Sequence, residues 1–214
     1  MGKIDVQVKI CGITRIADAV AAVEGGAHAI GLIFFAGSKR FIEPAAAAQI
    51  IANIPPYTSI VGLFVNANAS QVNEVLSHCA LSQLQFHGDE SPEFCRSFDR
   101  PYVKSVPASD PARMEAVVSA HRAARGYLFD TEVPGEHGGT GKTFDWRLMP
   151  PKNIGHRVLA GGLNTENVAE AIRMCSPDAV DVSSGVEVRP GVKDHDKMYR
   201  FIKAAERANE VVGT

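Results

Sequence analysis

Eight short apolar runs, seven of them followed by a helical pattern, predict an α/β fold for this sequence, a closed (β/α)8 barrel of parallel strands. The runs are VQVKIC, AIGLIFF, SIVGLFV, LSQLQFH, YVKSV, GYLFD, RVLAGG and AVDVSSG. Strands that alternate with helices along a whole chain form a parallel sheet with helical crossovers. Eight units in 214 residues suit a barrel near its lower size limit of about 200 residues. A doubly wound open sheet is the alternative, but it usually needs fewer strands.

Helix signals mark the segments between the runs. Helical patterns cover residues 17–24, 44–54, 70–79, 165–175 and 196–209. Proline after Ser91 and the capping pair Asn164-Thr165 indicate two helix starts. The sixth connection is irregular, because residues 132–143 are rich in glycine and only FDWRLM could be helical before Pro150-Pro151. No linker divides the chain, so we expect one barrel domain over residues 1–214.

The composition is that of a globular protein. Hydrophobic residues make up 45% and charged residues 21%, and the formal net charge of -2 provides no basic field for nucleic acid. No apolar run reaches the length of a signal peptide or a membrane span. The cysteines have no metal-binding spacing and are Cys11, Cys79, Cys95 and Cys175. We expect a cytoplasmic protein without nucleic-acid or membrane partners.

Polar residues alternate with apolar ones along several of the runs. Because successive side chains of a strand point to opposite faces, Lys9 and Cys11 share a face opposite Ile10. The same alternation gives polar faces to the fourth, sixth and eighth runs, formed by Gln83, Gln85, His87, Asp130, Asp181 and Ser183. A polar barrel interior is costly to stability, and such costs tend to mark functional sites. In these barrels the site lies at the carboxyl ends of the strands.

Cys11 and Asp130 end the first and sixth runs and are candidates for proton transfer. A free cysteine is more often a small buried hydrophobe. Here the ammonium of Lys9 on the same face would stabilise the thiolate and lower the pKa of Cys11, which would prepare a general base. Asp130 either caps the following loop or acts as a general acid. The two residues would approach a ligand from opposite sides of the barrel mouth.

Two loops rich in glycine and serine follow the last two runs, and together they form a candidate phosphate site. Gly161 and Gly162 follow the seventh run, and Ser183, Ser184 and Gly185 follow the eighth. Small residues let backbone N–H groups approach an anion, and in barrels these two loops often bind phosphate. Either loop alone could be an ordinary tight turn, but the pair on these two strands favours phosphate.

Arg40 lies in the segment AGSKRFIEP, in the loop that follows the second run. Most arginines are solvated surface residues. On the active-site side of a barrel, however, a guanidinium could hold a planar carboxylate through two hydrogen bonds.

The stretch HGGTGKTFDW, residues 137–146, resembles the end of a Walker loop. That motif requires glycine five residues before Gly141, where this chain has Glu136, and a long helix, which Pro150-Pro151 cut short. We therefore predict no nucleoside triphosphate site. Residues 132–143 are instead predicted to be a long mobile loop that closes over the barrel mouth on substrate.

The ordered series of motifs resembles the phosphoribosylanthranilate isomerase family over nearly the whole length. The motifs are VKICGIT, GLIF with SKR, VGLFVN, LQFHGDE, FDT, GGTGKTFDW, LAGGLN with ENV, and DVSSGVE. This resemblance implies a TIM barrel and an aldose–ketose isomerase of tryptophan biosynthesis. It also implies that Cys11 is the general base, that Asp130 is the general acid and that Arg40 faces the anthranilate carboxylate.

The remaining site residues follow from the same resemblance. Phosphate is assigned to the loops that carry Gly161-Gly162 and Ser183-Ser184-Gly185, and Lys9, His87 and Asp181 are expected to line the substrate pocket. The implied reaction is an Amadori rearrangement of N-(5-phosphoribosyl)anthranilate to 1-(2-carboxyphenylamino)-1-deoxyribulose 5-phosphate. No metal or organic cofactor is expected, because the iminium intermediate itself accepts the electrons. The expected partner is this small substrate, and the expected assembly is a monomer or homodimer.

Two other functions remain open from the sequence. A related barrel isomerase acts on an aminoaldose of histidine biosynthesis, but those relatives use a carboxylate base on the first strand, where this chain has Cys11. A barrel that binds a phosphate ligand without catalysis is the third possibility. Turnover of the substrate would separate it from an enzyme.

Overall fold

The computed structural model describes residues 6–131 and 143–211, with side chains described up to residue 208. Its eight parallel strands form a closed barrel in which neighbours in sequence pair with each other and the last strand pairs with the first. The strands are β1 (Gln7–Cys11), β2 (Ala29–Ile33), β3 (Ser59–Phe64), β4 (Gln83–Phe86), β5 (Tyr102–Pro107), β6 (Gly126–Asp130), β7 (His156–Leu159) and β8 (Ala179–Val182). The predicted fold class is confirmed, while a single domain over residues 1–214 stays a prediction.

Seven α-helices pack around the barrel within the described residues. They are α1 (Ile16–Glu24), α2 (Pro44–Ala52), α3 (Ala69–His78), α4 (Pro92–Arg96), α5 (Pro111–Ala120), α6 (Val168–Cys175) and α7 (His195–Val211). Three of them have proline in the first turn, where its missing N–H is not needed. At α3 the side chains of Asn68 and Gln71 form a reciprocal capping box.

Two connections differ from the regular pattern. In the described part of the sixth connection, two short 3₁₀ turns, Trp146–Leu148 and Lys152–Ile154, replace an α-helix. Residues 132–142, on which the predicted mobile loop falls, lie outside the described residues. The connection after β8 holds an antiparallel hairpin of β9 (Glu187–Arg189) and β10 (Val192–Lys193), which the sequence did not predict.

The apolar core lies between the barrel and its helices. Val8 and Ile10 of β1 and Leu84 and Phe86 of β4 belong to this core and are almost fully buried. The alternating polar side chains therefore point into the barrel, as predicted. Parallel strands bring all their carboxyl ends to one mouth, and the candidate residues converge there. None of the helices in the described ranges is long and apolar enough to cross a membrane.

Candidate active site

The register of β1 against β2 and β8 brings three charged or reactive side chains together, those of Lys9, Cys11 and Asp181. Lys9 is opposite Asp181 of β8, and Cys11 is opposite Gly31 of β2. Lys9 Nζ donates a 2.8 Å hydrogen bond to Asp181 Oδ1. A Cβ atom at residue 31 would lie 2.7 Å from Cys11 Sγ and 3.1 Å from Lys9 Nζ. Position 31 therefore needs glycine to leave room for the thiol and the ammonium side by side.

The electrostatic environment of Cys11 corrects one expectation. Burial raises the pKa of the Cys11 thiol, and this effect outweighs the lowering by the Lys9 ammonium. The Asp181 carboxylate raises the pKa further. Burial lowers the pKa of Lys9, but Asp181 and Cys11 outweigh burial, so Lys9 remains a cation. The predicted net lowering of the Cys11 pKa is wrong, because the cation that should cause it is already paired and the thiol is desolvated.

Asp130 ends β6 and lines the same cavity as Cys11. Its Oδ1 accepts a 2.7 Å hydrogen bond from the backbone N–H of Thr131, and its Oδ2 lies 3.4 Å from His87 Nε2. On the other side of that ring, Gln85 Nε2 lies 3.1 Å from His87 Nδ1. Asp130 thus both caps the following loop and presents an oxygen at the cavity, and Gln85 orients the intervening imidazole.

The two predicted phosphate loops lie together at this cavity. Gly161, Gly162, Ser183 and Ser184 all line it. The two glycines have φ angles of +78° and +65°, the left-handed region in which glycine carries no steric cost. Residues 184–186 form a 3₁₀ turn. The first N–H groups of a helical turn have no internal acceptor, so those at the start of this turn are available to an acceptor on a ligand.

Gly185 has a different position from the other four loop residues. It is not among the residues that line the cavity. A Cβ atom there would collide with the backbone carbonyl of Leu163 in the loop after β7. Gly185 therefore allows the two predicted phosphate loops to pack against each other.

Arg40 lines the cavity as predicted, but its guanidinium already has a partner in the protein. Arg40 Nε donates to Glu187 Oε1 and Nη2 donates to Glu187 Oε2, each at 2.8 Å. A guanidinium carries five N–H groups, so this paired contact leaves three for other acceptors. Both side chains are largely buried, with 11% and 4% exposed.

Several residues of the site were missed in the sequence. Glu187 and Lys193 come from the unpredicted hairpin, and Gln85 was seen only as part of a polar face. An apolar wall beside Cys11 was also missed and consists of Ile33, Phe35, Leu63 and Val65. Inward and outward residues of β2 and β3 are both apolar, so alternation gives no signal there. The only signal in the sequence that could have indicated Glu187 was its place at the end of the motif DVSSGVE.

A second cavity, of about 390 Å³, adjoins the first and shares His87 and Asp130 with it. It lies among β4, β5, β6 and α5. Cys11, Arg40 and the glycine-serine loops line only the first cavity. The first cavity is therefore the candidate active site.

Comparison with known proteins decides the family of this barrel. The sequence profile of the family N-(5'phosphoribosyl)anthranilate (PRA) isomerase matches residues 8–204. The chain belongs to this family.

Individual PRA isomerases are similar over almost the whole chain. The Pseudomonas fluorescens (strain SBW25) N-(5'-phosphoribosyl)anthranilate isomerase is 50% identical over 204 residues, which cover 95% of this chain and 97% of the relative. The crystal structure of the Thermotoga maritima enzyme has a TM-score of 0.88 at 43% identity, covering 94% of this chain and 99% of that one. A PRA isomerase solved with reduced 1-(o-carboxyphenylamino)-1-deoxyribulose 5-phosphate has a TM-score of 0.85 at 42% identity, with the same coverage. The predicted family, its fold and its isomerase activity are confirmed.

Proposed function

We propose that this chain catalyses the Amadori rearrangement of N-(5'-phosphoribosyl)anthranilate in tryptophan biosynthesis, with Cys11 as general base and Asp130 as general acid. One observation carries the proposal: a single cavity is lined by a thiol, a carboxylate, a guanidinium, an apolar wall and two loops rich in glycine and serine. Each group matches one part of this substrate. A phosphate ligand without an aromatic carboxylate would need neither the guanidinium nor the apolar wall.

The binding mode follows from the chemistry of the lining. The phosphate would accept hydrogen bonds from the loops at Gly161-Gly162 and Ser183-Ser184. The anthranilate ring would pack on the apolar wall of Ile33, Phe35, Leu63 and Val65. Its carboxylate would then meet the N–H groups of Arg40 that Glu187 leaves unused. The ribose would lie between Cys11 and Asp130, with Asp181 and His87 around it. Lys9, which was also predicted to line the pocket, is not among the residues that line this cavity and instead contacts Asp181.

The chemical steps need one proton donated and one removed. Asp130 donates a proton to the ring oxygen, the C1′–O bond breaks, and the nitrogen lone pair forms the C1′=N iminium. Cys11 removes the C2′ proton, and the C–H electron pair forms the C1′=C2′ double bond as nitrogen regains its lone pair. The enolamine then tautomerises to the ketone. The cationic iminium beside Sγ would lower the pKa of the Cys11 thiol at the step that needs the thiolate.

Assembly and location are part of the proposal. A solved Thermotoga maritima relative is dimeric, and monomers have been generated from it. A monomer or homodimer therefore stays the prediction for this chain. A cytoplasmic location also stays a prediction, supported by four cysteines that are all free thiols.

The loss of phosphoribosylanthranilate fluorescence tests the function directly. We expect turnover by the purified chain, and a large increase in KM for Arg40→Ala because a buried charged hydrogen bond is lost. The aminoaldose of histidine biosynthesis is the second substrate to assay. Turnover of that compound alone would support the histidine-pathway function, and binding without turnover of either would support a non-catalytic barrel. Either result contradicts the proposal.

A further inference from the structure

The hairpin after β8 supplies two buried charged residues for which the proposed reaction has no direct role. Glu187 Oε1 and Lys193 Nζ lie 2.9 Å apart, and their side chains are 4% and 0% exposed. Buried charges are costly unless they are paired and hydrogen-bonded. The hydrogen-bond partners of the two side chains all lie at the candidate active site or in the hairpin, so the pair can act on the site without lining it.

Glu187 has every contact that a buried carboxylate needs. Its Oε1 accepts from Arg40 Nε at 2.8 Å, Lys193 Nζ at 2.9 Å and the Gly191 backbone N–H at 3.2 Å. Its Oε2 accepts from Arg40 Nη2 at 2.8 Å. Burial raises the pKa of Glu187, but Arg40 and Lys193 together outweigh burial and lower it. The carboxylate is therefore ionised and held from three directions.

Lys193 connects the carboxylate of Glu187 to the loop after β8, one of the two predicted phosphate loops. Its ammonium donates to the backbone oxygen of Ser183 at 3.1 Å as well as to Glu187. The backbone N–H of Lys193 donates to Asp18 of α1, which is fully buried. The hairpin is thus fixed to the barrel at both charged residues, which makes Glu187 a rigid support.

A free arginine side chain has many rotamers, and ordering it on binding costs conformational entropy. The paired contact with Glu187 removes that freedom before a ligand arrives. It occupies the Nε–Nη2 side of the guanidinium and leaves the Nη1–Nη2 edge for a second planar carboxylate. Such preorganisation improves affinity without any direct contact to the ligand.

We propose that Glu187 is a positioning residue that fixes the guanidinium of Arg40 for the carboxylate of the substrate. It thereby sets the preference for an anthranilate over an aniline group. This inference rests on the proposed function, because it assumes that Arg40 holds the carboxylate.

The test compares the product 1-(2-carboxyphenylamino)-1-deoxyribulose 5-phosphate with its phenylamino analogue, which lacks the carboxylate. Dissociation constants are measured by calorimetry for the wild type and Glu187→Gln, a neutral variant of the same shape. We expect Glu187→Gln to weaken product binding about tenfold, the lower end for a hydrogen bond to a charged group. Binding of the analogue should not change, and KM for the substrate should rise much more than kcat falls.

Two further variants separate positioning from general loosening. Glu187→Asp keeps the charge but is too short to reach both Arg40 nitrogens and Lys193, so it should weaken product binding in part. It replaces Glu187→Gln in the test if that variant does not fold. Asp18→Asn is the matched control, because it perturbs a buried carboxylate that contacts the hairpin backbone but not Arg40. Asp18→Asn should lower stability and leave the carboxylate preference unchanged.

The outcomes distinguish this inference from the proposed function. If Arg40→Ala does not remove the preference for the carboxylate, the assignment of Arg40 itself fails. If Arg40→Ala removes it but Glu187→Gln and Glu187→Asp do not, positioning by Glu187 is overturned alone. Equal losses for both ligands, or the same loss in Asp18→Asn, would also overturn it. In the Arg40→Ala background, Glu187→Gln should have no further effect on the preference.

Discussion

Lys9 Nζ and Asp181 Oδ1 form a buried 2.8 Å ion pair beside the thiol of Cys11. The two charges act on Cys11 in opposite directions, since Lys9 lowers the pKa of the thiol and Asp181 raises it. The pair therefore holds a cation near the thiol without making the thiol acidic. This arrangement gives the first prediction.

Removing one member of the pair should move the pKa of Cys11 in a known direction. Asp181→Asn should lower it, because a nearby negative charge is lost and Lys9 is freed, whereas Lys9→Met should raise it. Ultraviolet absorbance of the thiolate against pH measures the shift, with Cys11→Ser as the background. The Cys11→Ser background also subtracts the other buried thiols, among them Cys95 and Cys175, whose pKa values burial raises to about 12 and about 11. An unchanged or higher pKa in Asp181→Asn would contradict this account.

The loop after β7, which we propose binds phosphate, should tolerate no side chain at Gly161. Its φ of +78° is in the left-handed region, and a Cβ atom would lie 3.0 Å from Asp130 Oδ1. Gly161→Ala should therefore raise KM strongly and also lower kcat by displacing Asp130. Gly155→Ala is the control, because Gly155 also has a positive φ, +109°, but lies in more open space away from the cavity. Kinetics in which Gly161→Ala loses no more activity than Gly155→Ala would contradict the assignment of this loop.

His121 should make the fold less stable in mild acid. Burial, helped by Lys104, lowers the pKa of His121 from 6.5 to about 4. Between these pH values the unfolded chain binds a proton that the native state does not, so stability falls as the pH drops through this window. His121→Gln should remove that contribution. Urea unfolding at several pH values checks this, and a slope in the variant equal to that of the wild type between pH 6.5 and 4 would contradict it.

The barrel and the central part of the site could be predicted from sequence for a simple reason. Strand alternation has a period of two, so Lys9 and Cys11 had to share a face once β1 was recognised. Their neighbours could not be predicted in the same way. Asp181 is 172 residues from Lys9, and only the register of β1 against β8 places them opposite each other.

The buried ion pair that contacts Arg40, Glu187 with Lys193, was missed because the hairpin that holds it is short. The strands of the hairpin have three and two residues, too few for a recognisable alternation, so Glu187 and Lys193 looked like loop residues. The pKa of Cys11 was predicted in the wrong direction because sequence shows a nearby lysine but neither its burial nor its pairing. The helix α6 begins at Val168 rather than near Thr165, because the Asn164 side chain caps a preceding turn at Glu166 and Asn167.

The central claim is that Asp130 is the general acid and Cys11 the general base, and proton transfer by Asp130 is tested first. Asp130→Asn keeps the volume of the side chain but has no carboxylic proton to donate to the ring oxygen. Its kcat should fall by roughly 10²–10⁴-fold, the range for a general acid or base. The affinity for product should stay close to that of the wild type, because no phosphate or carboxylate contact is lost. Weakened product binding with an equal fall in kcat/KM would indicate a structural role instead.

The kcat of Cys11→Ser, measured with its product affinity, tests the central claim most directly. The hydroxyl keeps the shape of the thiol but has a far higher pKa, so we predict that turnover falls by roughly 10²–10⁴-fold while product affinity is retained. Cys79→Ser is the matched control, since Cys79 is a buried thiol remote from the cavity, and it should keep its kcat. Near-full turnover in Cys11→Ser would contradict the claim and make His87, beside Asp130, the next candidate for the base.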